Sequence, residues 1–124
     1  MMFAKGVRTK DYRDVIAELV AQDIVRTEFH SGRFALKIIT AVLSTHFRIT
    51  LDAAEELLDK ACARVIYEEA DAQQIKMIDW VTVDMLVEAR PHLHPIEAAR
   101  LIDAARTEVE RERREEEGNK KCPP

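Results

Sequence analysis

The sequence predicts an all-α fold: five helices, long and short alternating, in a mostly antiparallel bundle. Three observations predict it. Apolar residues recur at spacings of three and four along most of the chain; strong helix formers fill its middle; and all four prolines lie beyond residue 90. Length sets the scale. The 124 residues, 47% apolar, make one domain. A chain of this size buries on the order of two-thirds of its unfolded surface, enough for a core without disulfides or metal.

Tyr12, Val15, Ile16, Leu19, Val20 and Ile24 form one stripe of a first helix over about residues 10–29, and this stripe is expected to face the core. Ser31-Gly32 is the first break. Residues 33–46 follow as a shorter helix with Phe34, Ile38, Ile39 and Val42 inward. Thr50 is placed to cap a long third helix reaching about Gln74, with Asp52, Glu55 and Glu56 near its positive end. Its inward stripe is Ala54, Leu57, Leu58, Ala61 and Val65.

Residues 77–87 contain β-branched Val81, Thr82 and Val83, but a lone strand has no partner to pair with. A short helix is therefore expected, capped by Asp79 and ended before Pro91. Pro95 suits the first position of a fifth helix, and Glu97 adds negative charge to its first turn. Its stripe of Ala98, Leu101, Ile102, Ala105 and Val109 stops there. Residues 110–117 are all charged, with Glu110–Arg114, Arg111–Glu115 and Arg113–Glu117 spaced to support a solvated helix that Gly118 ends. The implied organisation is a flexible basic N-terminus (1–9), a bundle domain (10–110), and a charged helix extension with a disordered tail (111–124).

Residues 49–69 align with 93–113 at an offset of 44, with six identities: Ala54/Ala98, Leu57/Leu101, Asp59/Asp103, Ala61/Ala105, Val65/Val109 and Glu68/Glu112. A duplicated short-helix/long-helix hairpin would produce this. Two amphipathic helices of like composition would produce some of it.

Several function classes drop out. A net charge of −4 with ample apolar content excludes wholesale disorder. Three glycines exclude a glycine-rich phosphate cradle, and seven aromatics leave little for stacking bases. The longest nearly apolar run, Ile38 to Leu43, is far short of the ~20 residues of a membrane span. With no secretory leader and two cysteines sixty residues apart, Cys62 and Cys122 are expected as free thiols in the cytoplasm.

Catalytic material is thin. Neither Ser31 nor Ser44 lies in a nucleophile turn, and Cys62 beside Leu58 and Val65 is expected to be buried and inert. No enzyme and no cofactor is expected. His46, His92 and His94 could gather at one end of an up-down bundle as a zinc site, although His92-Leu93-His94 also reads as an ordinary exposed link. Residues 35–63 have a helix-turn-helix outline, with Lys5, Arg8, Lys10 and Arg13 as a basic arm. Charge opposes nucleic acid: residues 51–74 carry seven acids against Lys60 and Arg64, a net −5 that phosphate would repel.

Val25, Phe29, Ile66, Tyr67, Trp80 and Val81 are apolar residues in excess of five single-sided stripes. Either the central helices are buried on more than one side, or part of this surface meets a partner. The function expected is therefore protein–protein interaction, as a homodimer or regulatory adaptor, with Tyr67, Trp80 and Val81 as the protein-binding residues. A nucleic-acid-associated regulator is the alternative, and a histidine-based metal-binding protein the third.

Overall fold

The computed structural model describes residues 12–31, 36–73 and 78–121, with side-chain surroundings for 14–28, 39–73 and 80–118. The described residues form five helices and no strand: α1 (Tyr12–Ser31), α2 (Leu36–Phe47), α3 (Leu51–Ala72), α4 (Ile78–Ala89) and α5 (Pro95–Lys121). The all-α expectation holds, including the β-branched stretch now within α4. Its proposed cap shifts: Ile78 opens the helix, so Asp79 lies in the first turn.

Two starts follow local chemistry. Thr50 caps α3, its Oγ1 accepting from the Ala53 backbone N–H at 3.0 Å. α5 begins at Pro95 behind a capping box: His94 N–H donates to Glu97 Oε1 at 3.0 Å, while Ile96 N–H donates to His94 Nδ1 at 3.1 Å. α2 ends in a Schellman turn, with Ile49 N–H donating to Ser44 O at 3.1 Å and Arg48 at φ 55°. Gly118 does not end α5, which continues to Lys121. A glycine can continue a right-handed helix, at a cost of about 1 kcal/mol against alanine.

The chain divides into two compact units, Met1–Leu58 and Asp59–Pro124, with the boundary inside α3. In the first, α1 packs against α2. The buried face of α1 is rotated from the expected one, whose Val20 and Ile24 are half-buried and whose Tyr12 side chain lies outside the described residues. Ala17, Ala21 and Val25, spaced by four, are buried, while Val15, Ile16 and Leu19 are exposed. Small side chains on the inner face let helices approach closely, an advantage that hydrophobicity alone does not register. On α2, Ile39, Leu43 and Phe47 are buried and Val42 is exposed; Phe34 and Ile38 lie outside the described side chains. Buried Thr40 donates to Glu55 Oε1 at 3.0 Å, so Glu55 is not simply a solvated carboxylate.

In the second unit α4 packs against α5. From Leu58 to Tyr67 only Lys60 is exposed and Arg64 half-buried, so this part of α3 is buried around most of its circumference. That accounts for Ile66 and Tyr67. On α5, Ala98, Ile102, Ala105 and Val109 are buried and Leu101 is at the rim. The 44-residue offset superposes the starts of α3 and α5, but their links differ: three residues (48–50) follow α2, and five (90–94) follow α4. A second recurrence joins α1 and α5. Asp23-Ile24-Val25-Arg26-Thr27-Glu28 and Asp103-Ala104-Ala105-Arg106-Thr107-Glu108 share four residues and one geometry. In each, Arg donates to Asp Oδ1 at 3.3 Å and Thr Oγ1 to the Asp carbonyl at about 3 Å.

Candidate functional site

Two kinds of feature compete for a functional role: polar clusters inside the second unit, and large apolar side chains left on the surface.

The most buried polar cluster starts from Asp59, one residue past buried Leu58 and three before buried Cys62. Arg90, the first residue after α4, donates from Nε to Asp59 Oδ1 at 2.7 Å. The imidazole of His92, half-exposed in the link to α5, lies with Nε2 at 3.1 Å from Asp59 Oδ2. A carboxylate can only accept, so that ring nitrogen is the one carrying hydrogen. Both Asp59 oxygens are thereby occupied, which suits a lock between α3 and the link rather than proton transfer. Burial pushes the Cys62 thiol up to about 12, with Arg90 pulling it down and Asp59 pushing it further up. A thiol so held stays protonated at neutral pH and is a poor nucleophile.

The second cluster joins α3 to α5. Arg64 donates from Nε to Glu68 Oε2 at 2.6 Å, and from Nη2 to Glu112 Oε1 at 2.7 Å. Its Nη1 serves Glu108 and, at 3.2 Å, Glu112 Oε2. Glu108 stands 44 residues from Arg64, the same offset that relates the two helices in sequence. Burial alone would lower the Arg64 pKa, but hydrogen bonds to Glu112 and Glu68 outweigh it and raise the value. One turn beyond, Arg113 donates to Asp71 Oδ2 at 2.5 Å. Three of the seven acids of α3, Asp59, Glu68 and Asp71, are therefore paired with a cation within the fold.

The expected metal ligands have other tasks. His92 serves Asp59, His94 caps α5, and His46 meets Phe47 edge-on, ring centroids 4.8 Å apart. Among the described residues no three His, Cys, Asp or Glu side chains are grouped to hold a metal ion. Of the basic arm, Lys5, Arg8 and Lys10 lie outside the described residues, as does the side chain of Arg13.

The three expected protein-binding residues separate. Tyr67 is buried, a correction to its proposed role: it sits in the core, where burial, with Asp71 and Glu110 nearby, raises its phenol pKa. Val81 is half-buried. Trp80 is 66% exposed. Sequence reasoning missed the larger surface feature on α1. There Leu19 is 56% exposed, Val15 and Ile16 flank it, and all three lie opposite Ala17, Ala21 and Val25. The detectable signal was that α1 is apolar on two faces, one of them built of alanine.

Among the described residues no helix is long and apolar enough to cross a membrane. No protein-family model, no curated protein and no solved structure matches the chain.

Proposed function

We propose that the chain is a non-enzymatic helical protein that works by binding another polypeptide, in the first place a second copy of itself. The observation that carries this reading is the exposed apolar side of α1. A helix that buries alanines while leaving Val15, Ile16 and Leu19 in water forgoes apolar burial that a partner would recover. A straight aliphatic stripe is self-complementary across a two-fold axis, the commonest arrangement of soluble homo-oligomers. The cytoplasm is the setting proposed, since Cys62 is a free thiol and a reducing compartment keeps it so.

Sedimentation equilibrium at low and at roughly 0.5 M salt tests the reading, because screening weakens apolar contacts little. A dimer is expected at both, and Ile16→Glu with Leu19→Glu should yield folded, helical monomers whose melting temperature no longer depends on concentration. A wild-type chain that stays monomeric, or a double variant that still dimerises, refutes it.

A further inference from the structure

The outward side of α4 differs in chemistry from that of α1. Its three exposed described positions are Trp80, Asp84 and Glu88, at successive intervals of four, which places them on one stripe rising about 6 Å per step. Half-buried Val81 borders the stripe on one side, and Val83 and Val87 on the other. No residue of α4 is basic, so nothing on the helix balances the two carboxylates. Arg90, the nearest cation beyond it, turns inward to Asp59.

We propose that this face docks a cationic segment of a partner polypeptide. Two physical attractions coincide there. An arginine or lysine over an indole gains a cation–π interaction, strongest for tryptophan among the aromatic residues. Its neighbours one helical turn on would meet Asp84 and then Glu88, and the bordering valines offer apolar contact to the stems of those side chains. The same charges repel nucleic acid and anionic lipid surfaces. The occupant is therefore a helix with basic residues at intervals of four, whose repeat of about 6 Å matches that of the face. This face and the α1 stripe share no residue, so its failure would leave the α1 reading intact.

Trp80 is the sole tryptophan, so its fluorescence reports directly on the face. The probe is a synthetic amphipathic helix with arginine at every fourth position, compared with a copy carrying glutamate there. Titration of the full chain with the arginine peptide should give a saturable blue shift, absent with the glutamate peptide. Asp84→Asn with Glu88→Gln should weaken the affinity about tenfold or more without altering the melting temperature, and moderate salt should weaken it in the wild type. No shift, equal binding of the two peptides, or full affinity in the double variant would overturn the proposal. So would a dimer of the free chain that Trp80→Lys dissociates, since a second copy would then be the occupant.

Discussion

Arg90 Nε donates to Asp59 Oδ1 at 2.7 Å with both side chains almost dehydrated, 6% and 11% exposed. The pair ties the end of α4 to the middle of α3, and His92 takes the second carboxylate oxygen. Desolvating two charges offsets much of their attraction, so the pair is a fastener more than a source of stability. Removing one partner strands the other. Asp59→Ala should cost about 3–5 kcal/mol, whereas Asp59→Leu with Arg90→Met should recover most of that loss. Urea unfolding of the three proteins is the measurement; a double variant as unstable as the single one would show that the pair is worth more than its burial costs.

Cys62 makes the stability pH-dependent in the alkaline direction. Its thiol has an ordinary pKa of 9.0 and is pushed up to about 12 in the fold, chiefly by burial. Below pH 9.0 both states hold the proton and the contribution is complete. Between there and about 12 the unfolded chain releases the proton while the fold retains it, so stability falls as pH rises. The slope approaches about 1.4 kcal/mol per pH unit for one proton. Cys62→Ala should abolish that portion of the slope. Tyr67, also raised by burial, acts alike in both proteins, so the difference between their pH profiles isolates the thiol. Identical profiles would mean that the thiol ionises in place.

Two helix starts were legible because caps are local: Thr50 and Pro95 announce α3 and α5 without reference to anything distant, whereas Asp79 and Gly118 did not mark the start of α4 or the end of α5. The α5 stripe was legible too, since Val109 is its last apolar residue before the charged run. Faces were harder. On α1, Val15, Ile16 and Leu19 outweigh Ala17 and Ala21 in hydrophobicity, yet the alanines are inside. Which side of a two-sided helix is buried depends on how closely its neighbour approaches, and that is a tertiary quantity. The Asp59 lock has the same character. An acid beside Leu58 and Cys62 hints at a buried charge, but its partners lie 31 and 33 residues away in a link.

Arg48 holds a left-handed conformation at φ 55° to complete the turn after α2. A side chain with a Cβ is strained there by roughly 1–2 kcal/mol, which glycine avoids, less what glycine adds in unfolded-chain entropy. Arg48→Gly should therefore stabilise the protein by about 1 kcal/mol, raising the melting temperature by roughly 3–5 °C. Arg48→Ala keeps the Cβ and should bring no such gain. Equal melting temperatures for the two variants would remove backbone strain from the account.

The charged end of α5 offers the last prediction, and here the structure alters what sequence alone expects. Because the apolar stripe stops at Val109, a cut after Arg111 looks harmless. It is not: Glu112 accepts from two nitrogens of Arg64, and Arg113 bonds Asp71. Arg64 is only 13% exposed, so losing Glu112 weakens a partly desolvated network. A cut after Arg111 should cost about 1 kcal/mol, discounted for the exposed carboxylate. A cut after Arg114 removes none of these bonds and should cost less than about 0.5 kcal/mol, as surface changes do. Ile102→Ala, in the fully buried stripe, should exceed both at about 2–5 kcal/mol, and half-buried Leu101→Ala should cost less than Ile102→Ala. Thermal melts rank the four proteins. If the two truncations proved equal, the Arg64 and Asp71 pairs would contribute nothing in solution. If both exceeded Ile102→Ala, the end of α5 would itself be packed, and the second copy proposed for α1 would be the first place to look.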